Sequence, residues 1–70
     1  MVPKAVLIIE RETNLITKRF DTSKMSESNF DHFDTGLVIK VDWERFYFRR
    51  VGPTEDSPRD FAEGETYEGE

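Results

Sequence analysis

The single histidine, His32, stands between Asp31 and Asp34 in the stretch FDHFDTG. Imidazole and carboxylate hold metals and move protons, so an acid–base or metal centre would sit here if the chain had one. A closed zinc site takes about four ligands and a catalytic site about three from the protein, and the chain has no cysteine to add a thiolate. The calcium-loop pattern needs alternating oxygen ligands closed by a glutamate, but Phe33 interrupts the alternation and that glutamate is missing. Asp31 and Asp34 read instead as cap or turn residues of a solvated loop. No serine lies in a glycine-flanked elbow. Three of the four glycines fall after residue 51, so no phosphate-cradling loop exists. The expectation is a protein that is not an enzyme and needs neither metal nor cofactor.

Recognition chemistry is better represented. In ERFYFRR, a strand would set Arg45, Tyr47 and Arg49 on one face, with Arg50 beside them and Lys40 on a neighbouring strand. An aromatic ring between cations on an open sheet can stack a base and neutralise phosphates. The same face is also an ordinary solvated one, with arginine stems covering the ring. The overall acidity, a formal charge of −5, argues against phosphate binding as the main role.

The elements that would position these residues follow from pattern. Residues 4–12, KAVLIIERE, are short, β-branched and bounded by Pro3 and by Thr13-Asn14, which predicts a strand. Residues 15–20, LITKRF, predict its hairpin partner, with Asn14 supplying the left-handed turn position. Val6, Leu7, Ile8 and Ile9 are apolar in succession, so both faces of the first strand need cover. Residues 21–35 lack a clear period, and a short helix competes there with a loop. Thr22, Ser23 or Ser28 would cap such a helix. After Gly36, alternation of Leu37, Ile39, Val41 and Trp43 predicts a second hairpin, 37–42 with 45–51, turning near Asp42–Arg45; one long bent strand is the alternative. The fold class is α+β, mainly β: an antiparallel sheet of three or four strands with a short helix, β-grasp-like or a small open barrel.

Charge divides the chain. Residues 1–51 hold eight acids and nine bases, a net of +1, whereas residues 52–70 hold seven acids and one base, a net of −6. The expected division is a β-rich domain over 1–51 and a flexible acidic tail over 52–70, broken at Gly52-Pro53. The tail nevertheless carries Phe61 and Tyr67, and Ser57, Pro58, Asp60 and Gly64 are spaced to start and stop a single helical turn.

Three roles suit such a tail: solubilising the domain, ordering on a basic partner, or folding back over the Arg45/Tyr47/Arg49 face. The expected function is an acidic binding or regulatory protein that engages a basic protein surface through Asp60, Phe61, Glu63 and Tyr67. In that role it would modulate a nucleic-acid-handling machine, as accessory proteins of phages and mobile elements do. The alternatives are a single-stranded nucleic-acid binder using the strand face, with the tail as autoinhibitor, and a subunit that self-associates through the first strand, including as a homodimer. The run Ala5–Ile9 is too short for a signal peptide or a membrane span. The expected setting is therefore cytoplasmic, with no membrane partner.

Overall fold

The computed structural model describes residues 2–52 and 59–68. Four elements follow in order: β1 (Ala5–Glu10), β2 (Ile16–Asp21), α1 (Glu27–Lys40) and β3 (Phe46–Val51). The strands form one antiparallel sheet in the order β2-β1-β3. This is the expected α+β class, a small antiparallel sheet with one helix.

β1 takes the centre because its composition permits nothing else. Val6, Leu7 and Ile9 are fully buried and Ile8 is 5% exposed, so self-association through this strand has no surface to use. Both of its edges are paired as well. The turn into β2 is the expected one. Asn14 holds φ 60°, its N–H donates to the Glu10 carbonyl at 2.7 Å, and Glu10 N–H donates to the Leu15 carbonyl. The register shifts between Ile8 and Ile9, which leaves Thr17 as an extra residue in β2. Its hydroxyl donates to the Ile8 carbonyl at 3.2 Å.

The second hairpin does not form. Residues 37–40 belong to α1, and β3 pairs with β1 instead. The alternation from Leu37 to Trp43 mimics a strand, but Phe30, Phe33, Leu37 and Val41 also recur at helical spacing. Tertiary packing selects that second pattern. Phe33 meets the ring of Phe20 edge-on at 5.2 Å, while Val38 and Ile39 are left 48% and 77% exposed. The cap is Ser26 rather than Thr22, Ser23 or Ser28, and its hydroxyl accepts from Asn29 N–H at 3.1 Å. Thr22 is fully buried for a different reason: its hydroxyl donates to the Pro3 carbonyl at 2.7 Å. Asp42–Arg45 form the expected turn, closed by Arg45 and Phe46 N–H groups on the Asp42 carbonyl.

The sheet is covered on both faces. α1 lies over the face carrying Phe20 and Phe48. On the other face Ala5, Leu7, Ile9, Ile16 and Val51 form one cluster with Phe61 and Tyr67. Residues 59–68, expected within a flexible tail, thus close the sheet's second face. Ser57 and Pro58, expected to start a helical turn, lie outside the described residues. Residues 59–62 are irregular, and a turn follows in which Gly64 takes φ 89°.

Candidate binding surfaces

The C-terminal segment is fixed at three levels. Its backbone extends the sheet: Ile16 N–H donates to the Glu65 carbonyl and Gly64 N–H to the Ile16 carbonyl, each at 2.9 Å, and Tyr67 N–H donates to the Asn14 carbonyl at 2.8 Å. Its rings are buried, Phe61 at 2% and Tyr67 at 4% exposure, with centroids 5.2 Å apart. Its Asp60 accepts two bonds from the Arg19 guanidinium at 3.0 and 2.7 Å, with Lys4 Nζ 3.5 Å away. That fork holds the Asp60 carboxyl below the usual carboxylate range, chiefly through the Arg19 hydrogen bond. Glu63 accepts from Arg19 N–H at 3.1 Å. All four tail residues expected to meet a partner, Asp60, Phe61, Glu63 and Tyr67, are therefore engaged by the chain's own sheet. Glu63 is exposed.

The strand-face set is divided. Tyr47 sits between two guanidinium groups, Arg49 at 4.9 Å and Arg11 at 5.5 Å from its ring centroid. Its hydroxyl donates to Asn14 Oδ1 at 2.9 Å, and the Tyr67 ring stands edge-on at 6.3 Å. The C-terminal segment thus folds back against the Tyr47 side of the sheet. Arg45 lies over the Phe46 ring at 5.2 Å. Arg50 points to the opposite face, where it contacts Asp34 at 3.4 Å and the rings of Phe48 and Phe30. Lys40 ends α1 instead of lying on a strand. Sequence reasoning missed Arg11 and Arg19, and placed Asn14 in the turn without its bond to the Tyr47 hydroxyl. The first would have followed from register, since pairing Ile9 with Tyr47 sets Arg11 opposite Arg45.

Two concave regions bear on binding. One, of about 290 Å³, lies where the β1–β2 turn meets the turn before β3, lined by Glu10, Arg11, Glu12, Glu44 and Arg45. Arg11 Nε is committed to the Trp43 carbonyl at 2.9 Å, and the three acids Glu10, Glu12 and Glu44 outnumber the two arginines in the lining, so this end of the sheet is net acidic. The other is an apolar groove of about 360 Å³ between α1 and β2, with Ile8, Phe20, Leu37, Val41 and Phe46 inside and Lys18 and Lys40 on its rim. His32 is exposed on α1. Among the described residues no group of three or more His, Asp or Glu is placed to hold a metal, and no helix is long and apolar enough to cross a membrane. No protein-family model, curated protein or solved structure matches the chain.

Proposed function

We propose that the protein is a non-enzymatic, acidic binding protein that engages a basic surface on another protein, the acidic end of the sheet being its contact. The observation that carries the reading is how charge and ring are disposed. The rings that would serve as tail anchors are in the core, whereas Glu10, Glu12 and Glu44 line one concave end of the sheet with Arg11 and Arg45, a net of one acid, and Glu12 and Glu44 are exposed there. A rigid acidic rim attracts a basic groove over several ångströms and gives a fast, salt-sensitive association. Such a rim competes with phosphates for that groove, which is how a protein of this size would restrain a nucleic-acid-handling machine.

The test is an amide chemical-shift titration with an arginine- and lysine-rich peptide, run beside a single-stranded oligonucleotide. Shifts centred on residues 10–12 and 42–45, reduced at least fivefold by Glu12→Gln with Glu44→Gln, support the proposal. Shifts produced by the oligonucleotide around Tyr47 and Arg49, with none from the peptide, overturn it in favour of nucleic-acid binding.

A further inference from the structure

The two edges of the sheet are treated differently. β2's outer edge is closed by the chain itself: Ile16 exchanges backbone bonds with Gly64 and Glu65, and Arg19 N–H meets Glu63. β3 forms the other edge. Which of its backbone groups face outward follows from the ladder. Glu10 N–H points to β2 and Arg11 N–H to the Arg45 carbonyl, so odd-numbered β1 residues bond β3 through Arg45, Tyr47, Arg49 and Val51. The N–H and C=O groups of Phe46, Phe48 and Arg50 therefore face away from the sheet. Phe46 N–H turns to the Asp42 carbonyl and the Phe48 carbonyl accepts from Arg49 Nη1. Among the described residues no strand lies alongside. The edge is six residues long and lacks proline, and no register shift interrupts its pairing with β1. Natural sheets usually blunt such an edge or pair it.

We infer that this edge pairs with the same edge of a second copy, antiparallel about Phe48, to make a continuous six-stranded sheet. The strand's own sequence selects the occupant and the register. Centred on Phe48, a two-fold pairing sets Tyr47 opposite the partner's Arg49 and Phe46 opposite the partner's Arg50, while Phe48 meets the partner's Phe48. Every arginine of the strand then faces an aromatic ring, the favourable cross-strand arrangement. Centred on Tyr47, the pairing opposes Arg45 to the partner's Arg49. Centred on Arg49 it opposes that arginine to the partner's Arg49 at the closest cross-strand spacing. Like charges directly opposite destabilise a ladder, so the Phe48 register stands alone in using the whole strand without such a clash.

The helix side of the edge fits the same occupant. Trp43 lies against Phe48 at 5.3 Å and donates through Nε1 to the Val38 carbonyl at 2.8 Å. Val38 is 48% exposed. Pairing would bring the Val38–Trp43–Phe48 strip of one copy beside that of the other. The contact adjoins the acidic rim at Trp43 but uses neither Glu12 nor Glu44, so the dimer is tested without the proposed partner.

Sedimentation equilibrium combined with amide hydrogen exchange on the full chain tests this. From micromolar to millimolar protein, the mass should climb from 8.2 kDa toward twice that. Exchange of the Phe48 and Arg50 amides should slow at least tenfold over the same range, with Tyr47 and Arg49 unchanged because β1 already holds them. In a mixture of isotope-labelled and unlabelled protein, intermolecular contacts should join the Tyr47 ring to the partner's Arg49. A monomer throughout overturns the inference. So do dimerisation without concentration-dependent protection at Phe48 and Arg50, and contacts that report another register.

Discussion

Tyr67 is a residue with two opposed halves. Its ring fills the cluster between Phe61 and Tyr47, yet its hydroxyl is buried and finds no hydrogen-bond partner among the described residues. An unsatisfied buried polar group costs about 1–3 kcal/mol, so Tyr67→Phe is expected to raise stability by up to about 1 kcal/mol in urea unfolding. Phe61→Ala deletes a ring 2% exposed and is expected to cost about 3–5 kcal/mol, a large share of what a domain this small possesses. The pair separates ring from hydroxyl. Were Phe61→Ala nearly neutral and Tyr67→Phe harmful, residues 59–68 would not be part of the core. Composition concealed this. Residues 52–70 contain three apolar residues among nineteen, and an average over them reads as solvated chain. Packing needs only the two rings that reach the face left bare by β1.

At the scale of elements, the first hairpin was readable because its strands agree with every local rule: β-branched residues, a bounded length and Asn14 at the turn. The helix was half readable. Phe30 and Phe33 were visible as apolar positions, but the alternation from Leu37 to Trp43 fits a strand equally well. What decides between them is the sheet face carrying Phe20 and Phe48, which a local pattern does not contain. Gly36, which reads as a stop, lies within α1, and a Cβ built there meets nothing within 4 Å. Glycine in a helix interior is about 1 kcal/mol worse than alanine. Gly36→Ala should therefore raise the midpoint of thermal unfolding by several degrees. A drop would show that this turn of the helix is packed more tightly than its surroundings indicate.

For the whole molecule, Asp60 and Glu63 join the C-terminal segment to β2, while Asp21 and Glu65 hold local turns. Asp60 is held below its ordinary value first by Arg19, Asp21 first by the Ser23 hydroxyl, and Glu65 first by the Ala62 N–H. A group whose folded pKa is depressed contributes stability that is complete above its unfolded value, about 4, and is lost as pH falls through the folded value. Thermal stability should therefore hold steady from pH 7 to about pH 5 and decline below about pH 4. Asp60→Asn should lower it by about 1 kcal/mol at neutral pH and make the acid decline shallower. An Asp60→Asn melting curve that matched the parent at every pH would remove the Arg19 fork from the account.

The same segment has a consequence for biosynthesis. A ribosome delivers β1, β2, α1 and β3 before the residues that cover Leu7, Ile9 and Ile16. The bridge from Leu15 to Thr66 spans most of the chain, and contacts so distant in sequence form late. Until Tyr67 clears the exit tunnel, the nascent sheet has one bare oily face, and the protein completes its fold only after translation has passed that point.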